Sequence, residues 1–121
     1  MKFSGSCIIT DNVNAMKDFY ENVLRVKAEG DENYALIFSK DANLSIFSRK
    51  SMKEMAPSCL TKTGYSSCVI EIEVNDVDFE YELLKKKNVT IVKLPTTQPW
   101  GVRSVWFKDP DGNIINFHTN V

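Results

Sequence analysis

One order of elements runs twice along this chain. Ser6–Thr10 (SCIIT) reads as a short strand. The stretch DNVNAMKDFYENVL follows, in which Val13, Met16, Phe19, Tyr20, Val23 and Leu24 recur at helical spacing. Asp11 or Asn12 can cap this helix, because a side-chain oxygen accepts a free N–H of the first turn. Three strand candidates come next: Val26–Glu29, Tyr34–Ser39 and Leu44–Ser48. The second half repeats the order. SCVIEIEV alternates, with Cys68, Ile70, Ile72 and Val74 on one face and Val69, Glu71 and Glu73 on the other. NDVDFEYELLKKK reads as a helix capped by Asn75, with Asp76 and Asp78 at its positive end and Lys85–Lys87 at its negative end. Strand candidates Val89–Lys93, Val102–Lys108 and Asn113–Thr119 complete the chain. TDNV (Thr10–Val13) aligns on VNDV (Val74–Val77), about half the chain away.

This order predicts an α+β fold of two β-α-β-β-β modules within one 121-residue domain. Module one spans about 1–49, a connector 50–66, and module two 67–121. Pro57 and Gly64 break regular structure in the connector, and SMKEMA fits a helical turn. Each module offers one sheet face to its helix. The other face of SCVIEIEV carries Glu71 and Glu73, which suits either a solvated sheet face or a cavity wall.

Several function classes are excluded early. A net charge of -1 does not give the basic face of a nucleic-acid binder. No apolar run is long enough for a membrane-spanning helix, and the N-terminus lacks the apolar stretch of a signal peptide. Cys7, Cys59 and Cys68 are odd in number and widely spaced, which predicts thiols in a cytoplasmic protein.

Near the C-terminus, WFKDPDGNIINFH sets two apolar runs around a turn. A loop of Asp109–Gly112 would place Lys108 opposite Asn113, Val105 opposite Asn116 and Arg103 opposite the single histidine, His118. Arg103, Val105, Phe107, Ile114, Asn116 and His118 would then share one face, and Ser104, Trp106, Ile115 and Phe117 the core face. A slip of one residue would exchange the two sets. Apolar walls with a few polar groups suit a small-molecule pocket, while Arg103 and His118 also suit a solvated strand face. Trp100, in the turn TTQPWG, would either cap the core edge or stack on a planar ligand.

DFYENVL, the doubled order of elements and QPWGVRSVWFKDPDGN together resemble the vicinal oxygen chelate superfamily. That superfamily includes glyoxalase I, extradiol dioxygenases, fosfomycin-resistance thiol transferases and bleomycin-resistance proteins. The resemblance covers essentially the whole chain. It implies paired modules with curved mixed sheets around a cavity, the glyoxalase/bleomycin resistance fold. In the family's enzymes that cavity holds a divalent metal, on ligands from the first and last strand of each module. Counted from the motifs, those positions fall on Gly5, Ser45, Val69 and Asn116, none a strong ligand. A shift of two would bring in Glu71 or His118 without restoring a full set. The resemblance therefore points to the metal-free, bleomycin-resistance-type branch, with no cofactor, a small-molecule ligand and a homodimer. The weak net charge does not suit bleomycin itself.

By strand parity the ligand site would draw on Cys7, Ser45, Phe47, Arg49, Glu71, Glu73, Trp100, Arg103, Phe107, Asn116 and His118. The arginines would suit an anionic or carbonyl group, and the glutamates a cation or the arginines themselves. Two other readings stand beside this one. The first is an enzyme with atypical metal ligands or with His118 as acid–base. The second is a structural module whose cavity has closed.

Overall fold

A computed structural model describes residues 1, 4–56 and 68–121. Eight strands and three helices run in the order β1 (Gly5–Thr10), α1 (Val13–Leu24), β2 (Glu29–Gly30), β3 (Tyr34–Ile37), β4 (Asn43–Ser48), α2 (Arg49–Met55), β5 (Val69–Glu73), α3 (Val77–Lys86), β6 (Ile91–Thr97), β7 (Val102–Lys108) and β8 (Ile114–Asn120). The chain divides into two compact units, Met1–Thr63 and Gly64–Val121. Each contains one four-stranded mixed sheet, ordered β1-β4-β3-β2 in the first and β5-β8-β7-β6 in the second. The α+β fold and the repeated order of elements match the expectation. Pro57, Cys59 and Gly64 lie outside the described residues. The described part of the connector contains α2, whose first turn is capped by Ser48 Oγ accepting from Ser51 N at 3.0 Å.

In the first unit β1 runs parallel to β4, with Cys7 beside Ser45 and Ile9 beside Phe47. One face of this sheet carries Ile8, Ala35, Ile37 and Ile46, all buried, together with the buried Thr10. The apolar stripe of α1 supplies Val13, Met16, Tyr20 and Val23 to the same core. Asn12 caps that helix, its Oδ1 accepting from Ala15 N at 3.0 Å. The strand expected at Val26–Glu29 shrinks to Glu29–Gly30. The reason is local: Arg25 takes the left-handed conformation (φ 54°), and Ala28 N donates to Glu21 Oε2 at 2.9 Å instead of to a strand.

In the second unit β5 runs parallel to β8, and β8 and β6 flank β7 on either side, antiparallel to it. Helix α3 is capped by Asp76, not Asn75, with Asp76 Oδ1 accepting from Phe79 N at 3.0 Å. Asp78 and Glu80 lie in its first turn and Lys85 and Lys86 in its last, each complementing the helix dipole. Strand β6 starts at Ile91 and continues past Pro95. Proline is tolerated there because β6 is an edge strand whose pairing with β7 shifts between Lys93 and Thr96.

The β7–β8 register corrects the sequence expectation by one residue. Lys108 pairs with Ile114, Trp106 with Asn116 and Ser104 with His118. The cause is the Asp109 side chain, which is 95% buried. Its Oδ1 accepts from Asp111 N (3.0 Å) and Asn113 N (2.9 Å), and its Oδ2 from Asn113 Nδ2 (2.8 Å). Asp109 N also donates to Asn113 O at 2.9 Å. Asn113 is thus held opposite Asp109, and the loop proper is Pro110-Asp111-Gly112. Gly112 takes φ 86°, the left-handed residue that a three-residue hairpin loop requires.

The shift exchanges the two faces of β7. Val105, Phe107, Ile115 and Phe117 are buried on the α3 side, with Phe107 and Phe117 edge to face at 4.8 Å. Arg103 is on that side too. Its Nε and Nη2 donate to the two Asp78 oxygens of α3 at 2.8 and 2.7 Å, and its Nη1 to Thr97 Oγ1 at 3.0 Å. Phe107 and Arg103 therefore belong to the helix-packed face, not to the polar face that a four-residue loop would assign to them. Trp106 and Ser104 take their places.

Candidate functional site

On the face of the second sheet away from α3, cross-strand partners form two polar rows. The first runs Lys93, Trp106, Asn116, Glu71 across β6, β7, β8 and β5. The second runs Thr96, Ser104, His118, Glu73. Lys93 Nζ sits 5.6 Å from the Trp106 ring centroid, a cation–π contact along the first row. Asn116 is only 8% exposed, Ser104 is buried and His118 half-buried, while Glu71 and Glu73 are exposed at the β5 edge.

Two atoms of the first row stand out. Trp106 Nε1 and Asn116 Oδ1 are buried, and neither has a hydrogen-bond partner among the described residues. They belong to directly paired residues of β7 and β8. A buried donor and a buried acceptor on paired residues, both unmatched, are rare in folded proteins and costly to keep.

The first unit has its own face away from α1. Cys7 and Ser45 are neighbours there, and Phe47 packs edge to face on Tyr34 at 5.9 Å. Ser45 Oγ donates to Ser6 O at 3.4 Å. Arg49 does not extend this face. The chain has already turned into α2, and Arg49 Nε donates to Asp11 Oδ1 at 3.0 Å.

Both arginines offered to a ligand are thus engaged elsewhere, Arg49 by Asp11 and Arg103 by Asp78. Glu71 and Glu73 pair with neither arginine. The Arg103 hydrogen bonds hold the Asp78 carboxyl below its ordinary value of 3.8, against a smaller opposing effect of burial. A carboxyl depressed on folding stabilises the fold above its ordinary value and loses that contribution as pH falls through the folded value. Asp78→Asn is therefore expected to lower the urea midpoint modestly at pH 7, since the pair is solvent-screened. The gap to the native protein should close below pH 3.8, and a gap that persists in acid would assign the loss to something other than the ion pair.

Trp100 lies in a turn closed by Gly101 N donating to Gln98 O (3.0 Å) and Gln98 N to Val102 O (2.8 Å). The residue is 73% exposed and does not cap the core edge.

The metal-binding chemistry of the implied family does not fit these residues. Ser45 lies beside Cys7 and Asn116 beside Glu71, whereas Gly5 pairs with Asn43 and Val69 with Ile114. The first-strand positions facing Ser45 and Asn116 are therefore Cys7 and Glu71, two residues beyond those counted from the motifs. The donors are a thiol with a hydroxyl in one unit and a carboxylate with an amide in the other. A catalytic divalent metal generally takes about three His or carboxylate ligands. Among the described residues, no three His, Cys, Asp or Glu side chains gather to hold an ion.

Of the expected site residues, then, Glu71, Glu73, Asn116 and His118 share one face of the second sheet. Cys7, Ser45 and Phe47 share one face of the first. Trp100 stands in its exposed turn, and Arg49, Arg103 and Phe107 are placed elsewhere. Trp106, Ser104 and Lys93 were missed on sequence. Counting a three-residue loop after Asp109 would have found the first two.

Comparison with known proteins agrees with this architecture. No helix among the described residues is long and apolar enough to cross a membrane. The chain is 26% identical to the uncharacterised protein YraH of Bacillus subtilis, over 98% of each chain. It is similar in fold to a glyoxalase/bleomycin resistance protein/dioxygenase family enzyme from Burkholderia phytofirmans, with a TM-score of 0.88, 15% identity and full coverage of both chains. A lactoylglutathione lyase from Agrobacterium tumefaciens is similar over 96% of this chain and 91% of its own, with a TM-score of 0.77 and 16% identity. The family model for the glyoxalase/bleomycin resistance protein/dioxygenase superfamily matches residues 4–117. With its two β-α-β-β-β units and a match along nearly its whole length, the chain belongs to that superfamily.

Proposed function

We propose that this protein binds a small organic ligand, without a metal, on the face of β5–β8 away from α3. The observation that carries this reading is the unmatched pair Trp106 Nε1 and Asn116 Oδ1. Buried polar groups without partners are tolerated chiefly where something else completes them. The surrounding chemistry agrees: an aromatic ring, a half-buried His118 and two unpaired glutamates give a wall of mixed character with few polar groups. Glu71 and Glu73 favour a ligand that is neutral or cationic over one that is anionic. Cys7, Ser45 and Phe47 form a second candidate surface, and Trp100 a candidate stacking ring. A homodimer and a cytoplasmic location belong to the same proposal.

The test is an amide-resolved NMR titration of the full chain with neutral amides, amines, alcohols and carboxylates of fragment size, in the presence of EDTA. At least one fragment should give saturable shifts centred on residues 104–106, 116–118 and 71–73. Shifts from no fragment would overturn the proposal. In a parallel titration without EDTA, tight stoichiometric binding of Zn or Ni ions at Glu71 or His118 would overturn its metal-free part.

A further inference from the structure

Resting on that binding reading, we infer that the group recognised at the Trp106–Asn116 pair is a carboxamide or urea. The inference comes from the order of hydrogen-bonding atoms across the sheet. Trp106 Nε1 can only donate. Asn116 Oδ1 can only accept, and beyond it in the same row stands the Glu71 carboxylate, which also accepts. Read across β7, β8 and β5, the row asks its ligand for one acceptor followed by donors.

A carboxamide supplies this order in one rigid plane: its carbonyl accepts from Trp106 Nε1 and its N–H group donates to Asn116 Oδ1. A primary amide or urea has a second N–H turned toward the Glu71 side. A carboxylate would match Trp106 but set an acceptor against Asn116 and a charge against Glu71. An ammonium would match Asn116 and leave the indole N–H unmet. A hydroxyl can accept from Trp106 Nε1 and give its single proton to Asn116, but it leaves Glu71 to solvent, one hydrogen bond fewer than a primary amide makes. Unmatched buried groups exclude wrong ligands as effectively as matched ones bind right ones.

Nicotinamide is a suitable probe, compared with N,N-dimethylnicotinamide, nicotinate and 3-pyridinemethanol. The chain has two tryptophans, so its indole N–H spectrum has two signals, assigned with Trp100→Phe. Nicotinamide should move the Trp106 indole signal downfield saturably. It should bind at least about 10-fold tighter than the dimethyl analogue and nicotinate, the order expected for one lost or mismatched buried hydrogen bond, and about 3-fold tighter than 3-pyridinemethanol, which loses only the contact to the exposed Glu71. In Asn116→Leu the preference over the dimethyl analogue should fall to about 2-fold or less. Equal binding of 3-pyridinemethanol or nicotinate would overturn the amide assignment while leaving a binding site in place. So would a bound water that nicotinamide does not displace from Trp106 Nε1. If no compound in this set or in the wider fragment titration shifts this face, the binding reading falls with it.

Discussion

Phe107→Ala should lower the stability of this protein by about 3–5 kcal/mol, the range for truncating a fully buried aromatic side chain. Phe107 is 0% exposed and packs edge to face on Phe117 within the core under α3. Truncation removes transfer energy and leaves a cavity that a sheet held by hydrogen bonds on both sides of β7 cannot close. A domain of this size is commonly stable by only about 5–15 kcal/mol, so the variant should show a much lower urea midpoint with little change in slope. The same variant decides the β7–β8 register in solution. With the loop counted as Asp109–Gly112, Phe107 would line the polar face, and its loss would weaken ligand binding while sparing the fold. An unchanged midpoint would therefore place Phe107 on the wrong side of the sheet.

That register marks the boundary of what the sequence could tell. Periodicity found α1 and α3, because their apolar stripes are set by local geometry and their caps by neighbouring side chains. The alternation of VIEIE fixed the faces of β5, since Glu71 and Glu73 cannot share a side with Ile70 and Ile72 in a core. The hairpin was harder. Both sides of WFKDPDGNIINFH carry apolar residues, so hydrophobic pattern does not choose between loops differing by one residue. The choice is made by a single buried carboxylate, Asp109, reaching around the turn to Asn113. Arg49 was misplaced for a similar reason. Alternation carries it onto the polar face only if β4 continues, and Ser48 instead caps a helix there. The unmatched state of Trp106 Nε1 and Asn116 Oδ1 has no signature in sequence, because it depends on what fails to approach them.

Asn116→Leu should raise stability by about 1 kcal/mol while abolishing amide selectivity. The two side chains share a branched outline and heavy-atom count, although leucine's methyl groups are larger, so the change removes an unmatched buried acceptor without opening a cavity. Removing such a group returns the desolvation cost it imposes on the fold, which is about 1–3 kcal/mol per group, reduced here because the larger leucine must be fitted at a buried position. A site built for a ligand is kept at the expense of the unliganded protein, so stability and binding should move in opposite directions. The identity of the residue follows the same logic. The resemblance puts one of the family's metal-ligand positions on Asn116. In the metal-free site proposed above, a carboxylate at this position, buried beside Glu71, would add the cost of desolvating a charge to that of facing a like one. An amide keeps the acceptor and discards the charge, which suits recognition of a neutral donor. Thermal or urea unfolding of Asn116→Leu without ligand is the deciding measurement. A loss of about 1–3 kcal/mol in both Asn116→Leu and the smaller Asn116→Val would show that Asn116 is already satisfied in the free protein and holds the sheet together, and the site would lose its strongest support.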